Sequence, residues 1–92
     1  MDDLDKTKLD VHFFRTGHRV EPVREWLKKL SKEEKRIIGF DIKTVQYGWP
    51  IGMPLVKHLG KGIWEIRSSL PGRKIARILF FTHLNAIVLI NG

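Results

Sequence analysis

The sequence predicts an α+β domain in which two N-terminal helices pack against one antiparallel sheet, in the order β-α-α-β-β-β. Three observations carry that prediction. Residues 21–47 hold apolar side chains at helical spacing, with Val23, Trp26, Leu27 and Leu30 at i, i+3, i+4 and i+7. Residues 63–91 hold three short runs of β-branched and aromatic residues, separated by turn-forming Ser, Pro, Gly and Asn. Between the halves lies a stretch, 48–62, with four Gly and two Pro, which reads as a connecting loop.

Taken in order, residues 1–8 are polar and acidic and are expected to form a flexible N-terminus. Residues 9–92 form a single domain, with no internal repeat and no linker long enough to divide it. Residues 9–14 contain Val11, Phe13 and Phe14 and predict the first strand, ended by Thr16 and Gly17. Glu21-Pro22 opens the first helix, since proline early in a helix removes an N–H that has no partner there. Ser31 with Glu34 forms a capping box that starts a second helix, which Gly48 and Pro50 stop. Residues 63–68, 75–82 and 86–91 then make a three-stranded meander.

Charge narrows the functional classes. Among 92 residues there are 17 Lys or Arg and 10 Asp or Glu, a formal net charge of +7. Four of the acids (Asp2, Asp3, Asp5, Asp10) fall in the first ten positions, so residues 11–92 carry 15 basic against 6 acidic groups. From Gly48 onward the basic residues are Lys57, Lys61, Arg67, Arg73, Lys74 and Arg77, and Glu65 is the single acid. A one-signed field of this kind attracts polyanions. With no cysteine, a disulfide framework, thiolate zinc ligation and a thiol nucleophile are excluded. No apolar run approaches the roughly 18 residues of a spanning helix, and the acidic start is unlike a signal peptide, so the chain reads as soluble, cytoplasmic and without a membrane partner. No His or carboxylate pair has metal-ligand spacing, and neither a metal nor another cofactor is expected.

The register of the hairpin joining residues 63–68 to 75–82 can be argued from its side chains. If facing positions sum to 144, Trp64 meets Phe80 and Ile66 meets Ile78, whereas a sum of 143 puts Arg77 opposite Ile66. The even register places the four apolar residues on the core face and leaves Glu65, Arg67 and Arg77 on the other, with the two arginines opposed. Like charges directly across a ladder repel, so such a pair is expected to be separated by an anion or a carboxylate. Glu65 is one such group, and a phosphodiester is another, for which the guanidinium fork is suited. Lys57, Lys61, Arg73 and Lys74 lie in the bordering loop and turn and would extend a phosphate track. Trp26 and Trp64 read as core residues, and Trp49 as a cap on the core. The cations Lys28, Lys29, Lys32, Lys35 and Arg36 are balanced by Glu25, Glu33 and Glu34 and read as a solvated helix face.

The run Lys57-His58-Leu59-Gly60-Lys61-Gly62-Ile63-Trp64-Glu65-Ile66-Arg67, with Arg77-Ile78-Leu79-Phe80-Phe81 and Ile87-Val88-Leu89-Ile90-Asn91-Gly92, resembles the HigB-like branch of the RelE/ParE toxin superfamily. The resemblance implies the toxin of a type II toxin–antitoxin pair: a metal-independent endoribonuclease that cuts messenger RNA, typically on the ribosome, by 2′-hydroxyl attack. It also implies a helix-turn-helix, HigA-like antitoxin in a hetero-oligomer. Carried over by position, Arg67 and Arg77 match the family's basic active-site residues, Glu65 its strand glutamate in an orienting role, and Lys57 and Lys61 its RNA-holding loop. His58 is the nearest local group for proton transfer. Family members usually continue past the last strand, and against that pattern the chain reads as C-terminally shortened, with its own catalytic competence left open and the edge of its last strand, residues 86–90, uncovered. Two other readings stand beside the nuclease: a ParE-like toxin that inhibits DNA gyrase, and a non-catalytic module that binds nucleic acid or an antitoxin.

Overall fold

A computed structural model describes residues 9–92, so the acidic stretch 1–8 lies outside the described residues. The elements are β1 (Asp10–Phe13), α1 (Pro22–Lys28), α2 (Lys32–Gly48), β2 (Val56–Gly60), β3 (Ile63–Leu70), β4 (Lys74–His83) and β5 (Ala86–Asn91). The α+β class holds: two helices cover one face of a five-stranded sheet of order β1-β5-β4-β3-β2. Among the described residues no helix is long and apolar enough to cross a membrane.

Local chemistry sets the helix starts. Pro22 stands in the first turn of α1. Ser31 caps α2 by accepting from the Glu34 N–H at 3.1 Å, while the Glu34 carboxylate accepts from the Ser31 N–H at 2.9 Å. That reciprocal pair satisfies two otherwise orphaned donors. Val23 from α1 and Ile38 and Val45 from α2 are buried against Val56, Ile66, Ile78, Phe80, Ile87 and Leu89 of the sheet. Each large apolar side chain so buried contributes about 1.5–3 kcal/mol.

The β3–β4 hairpin has the even register, with Trp64 facing Phe80, Ile66 facing Ile78 and Arg67 facing Arg77. Its connection is the three residues Pro71, Gly72 and Arg73, of which Gly72 has φ 81° and Arg73 φ 61°. The left-handed backbone needed to reverse the chain explains the glycine there.

Three expectations need correction. The stretch 48–62 is not all loop, because residues 56–60 form an additional strand, β2, antiparallel to β3. Only Val56 of β2 is buried, so its own side chains carry little strand signal, and it is the free edge of β3 that recruits it. The sheet is also mixed rather than wholly antiparallel, since β1 runs parallel to β5 with Val11 beside Ile87 and Phe13 beside Leu89. Four strands wound as successive hairpins from β2 bring β5 to β1 in the same direction, and their apolar residues then share the core face. The edge of the last strand is therefore covered by β1, and the sheet's edges are β1 and β2.

Candidate nucleic-acid interface

Strand alternation divides the sheet into a helix-covered face and an open one. Positions facing Ile66, Ile78 and Phe80 belong to the core. The intervening residues place Glu65 and Arg67 of β3, Arg77 of β4 and Lys57 of β2 on the open face, with Lys57 paired to Glu65 and Arg67 to Arg77. Three cations thus surround one carboxylate. The Arg67 Nε lies 3.8 Å from Glu65 Oε1, and the Arg77 Nε 3.8 Å from Glu65 Oε2. Glu65 is well covered, its side chain 13% exposed, while Arg67 and Arg77 are 26% and 52% exposed. At 3.8 Å these are ion pairs without hydrogen bonds. The Arg67 Nε is buried and has no hydrogen-bond partner among the described residues. A buried donor in that condition is costly unless something fills it.

The remaining basic residues disperse. Lys61, φ 54°, sits in the turn between β2 and β3, and Arg73 at the tip of the β3–β4 hairpin. Lys74 faces Leu70 on the helix side, where its Nζ donates to the Glu34 carboxylate at 2.9 Å. That hydrogen bond, followed by the one from the Ser31 N–H, lowers Glu34 to about 2. Lys74 is thereby committed to α2 and lies outside the arginine cluster.

His58 also lies apart. It faces Trp64 across β2–β3, and the two rings stack with centroids 4.7 Å apart. Trp49 meets Trp64 edge-on at 5.2 Å and Phe80 at 5.5 Å, so it caps the core as expected. The imidazole thus belongs to an aromatic cluster on the helix side, across the sheet from Arg67 and Arg77. No three metal-ligating side chains come together among the described residues.

The open face also carries Leu79 and Phe81 of β4 and Val88 and Ile90 of β5, all half-buried. Sequence reasoning assigned none of these to the open face, although the alternation that identified Arg77 applies equally to the next two odd positions of the same strand. Together the open face offers a guanidinium pair beside an apolar surface, a combination suited to holding a phosphate and its attached organic group.

The family described as phage derived protein Gp49-like (DUF891) matches residues 25–92. No curated protein and no solved structure matches the chain.

Proposed function

Because the chain belongs to the phage-derived Gp49-like family, a RelE/ParE-like toxin family of toxin–antitoxin systems, we propose that it is the toxin of such a pair and acts as a metal-independent endoribonuclease on messenger RNA. One observation carries the reading: Arg67 and Arg77 face each other on the open sheet face, and the buried Arg67 Nε has no hydrogen-bond partner among the described residues. A phosphodiester brings two non-bridging oxygens, acceptors suited to the exposed parts of the two guanidiniums.

In the reaction the RNA 2′-oxygen attacks the adjacent phosphorus. The bond from the 2′-oxygen to phosphorus forms as the bond from phosphorus to the 5′-oxygen breaks, giving a 2′,3′-cyclic phosphate and a free 5′-hydroxyl. The 2′-hydroxyl loses its proton and the leaving 5′-oxygen gains one. Charge accumulates on the non-bridging oxygens at the pentacoordinate stage, and fixed guanidiniums already aimed there stabilise it without reorganising. Glu65 holds both arginines by ion pairs and fixes their spacing before the substrate arrives. Lys57, beside Glu65, guides the neighbouring backbone. The toxin is held inactive by an antitoxin, and ribosome-bound messenger RNA is its target.

A second reading, a phosphate-binding module without chemistry, is favoured by the place of His58 on the helix-covered face, which leaves the arginines without that imidazole. The test is primer extension on a reporter messenger RNA in cell-free translation, comparing the parent chain with Arg67→Ala and Arg77→Ala. Cuts that disappear in both variants support the nuclease. RNA binding without cuts moves the module ahead, and inhibited supercoiling in a parallel gyrase assay would establish the ParE-like activity instead.

A further inference from the structure

Phe81 follows Arg77 by four residues on β4, and the positions between them fix its side of the sheet. Ile78 and Phe80 are buried in the core, which turns Leu79 and Phe81 to the open face that Arg77 shares. Phe81 is half-buried and takes no part in the core cluster. Its ring meets no other aromatic ring among the described residues, whereas Trp49, Trp64 and Phe80 all engage one another. Across the sheet Phe81 faces Val88 of β5, which aligns with His12 of β1. Val11 and Phe13 pack on the core, so His12 lies on the open face, and the row ends there at an exposed side chain of an edge strand. A ring beside an aliphatic floor, open on one side, is thus set on the face that carries the arginine pair.

The ion pairs aim the anion site toward this ring. They hold the Nε atoms of Arg67 and Arg77 beside Glu65, which faces Leu79, so the guanidiniums gather on the Phe81 side of their own row. From Leu79 to Phe81 is two residues, roughly 7 Å, a separation that suits a phosphate and a neighbouring base. The β4–β5 ladder is also broken by a bulge between Leu79 and Phe80, a device that re-aims side chains and often borders active sites. On the other side of Arg77 the same column offers Ile75, which is exposed but has no π-face.

Resting on the nuclease reading, we propose that Phe81 is the stacking platform for a base adjoining the phosphodiester held by Arg67 and Arg77. Every base has a π-face, so the ring positions the strand without selecting its sequence. Phe81 touches no reacting atom, and its contribution is to binding.

The probe is an RNA oligonucleotide with a 2′-deoxy sugar at the cut mapped by primer extension, titrated with the full chain, together with versions that lack one base at each flanking position in turn. Phe81→Leu removes the ring and keeps an apolar side chain, while Phe81→Trp keeps a ring. Phe81→Leu should weaken affinity about tenfold, with the slope of log affinity against log salt unchanged because no charge is lost, and Phe81→Trp should restore the affinity. KM for cleavage should rise in parallel, and the single-turnover rate at saturating RNA should stay. At one flanking position the abasic RNA should bind the parent and Phe81→Leu alike. Equal affinity of Phe81→Leu and the parent for intact RNA, while Arg77→Ala lowers the salt slope, overturns this proposal and leaves the nuclease reading intact. A loss in Phe81→Leu that persists with every abasic RNA also overturns it, by tracing the effect to the sheet rather than to a base. A parent chain that binds no RNA overturns both.

Discussion

Arg67 and Arg77 stand directly opposite each other on β3 and β4, and their Nε atoms reach the two different oxygens of Glu65, each at 3.8 Å. The carboxylate bridges the two guanidiniums and, in the proposed reaction, shares them with the phosphate. Glu65→Gln is therefore expected to act in opposite directions on stability and binding. Without the bridging charge the opposed guanidiniums lose up to about 1 kcal/mol of folding stability, and added sulfate should return it. RNA should bind more tightly, with turnover slowed. Urea midpoints with and without sulfate provide the check, and an equal response of parent and variant to sulfate would count against the bridge.

Arg77 is half exposed, so its replacement should spare the fold. Arg77→Ala is expected to lower cleavage by about 10²- to 10³-fold, the usual range for one preorganised donor. Arg77→Lys should recover only part of the loss, because an ammonium lacks the planar fork. Single-turnover rates at saturating RNA separate this from weakened binding.

The pairing of Glu34 makes stability acid-sensitive. Its pKa in the folded chain is about 2, below the ordinary 4.5. A depressed carboxylate contributes fully above pH 4.5, and the contribution fades as pH falls from 4.5 toward 2. The stability gap between parent and Glu34→Gln should accordingly be constant near neutrality, narrow below pH 4.5 and close near pH 2. Denaturant unfolding across that range would reveal a pH-independent gap if the bond to Lys74 were not the cause.

Phe80 is fully buried, and the rings of Trp49 and Trp64 pack on it from the rim of the core. Phe80→Ala should cost about 3–5 kcal/mol, a large part of the stability of a domain this small. The expected result is loss of the cooperative thermal transition, with Phe80→Leu retaining it.

His58 stacks on Trp64 away from the arginines. His58→Gln should change tryptophan fluorescence and lower stability by about 0.5–1 kcal/mol, with cleavage unchanged. A large drop in rate with the fold intact would return the imidazole to the proton-transfer role that the sequence had suggested.

These residues also show how far a sequence can be read. The arginine pair was legible because two apolar facing pairs, Trp64 with Phe80 and Ile66 with Ile78, fix one register, and every other side chain follows by parity. The same parity sets Lys74 on the helix side with Ile78 and Phe80, a deduction the charge pattern obscured. The strand at Val56–Gly60 was illegible because it is an edge with one buried residue, set among Gly and Pro. With it was lost the side on which His58 lies. The parallel pairing of β1 with β5 had no local signal at all, since nothing in Asp10–Phe13 records which strand will lie beside it.

Val11 aligns with Ile87, 76 positions later in the chain. Hairpins such as β3–β4 can form as soon as their own residues are made, but β1 must wait for β5, and long-range pairing of that kind slows folding. During synthesis the first strand therefore leaves the ribosome without a neighbour, and the sheet closes only after β5 has followed. Assembly of the sheet is thus timed by the emergence of β5.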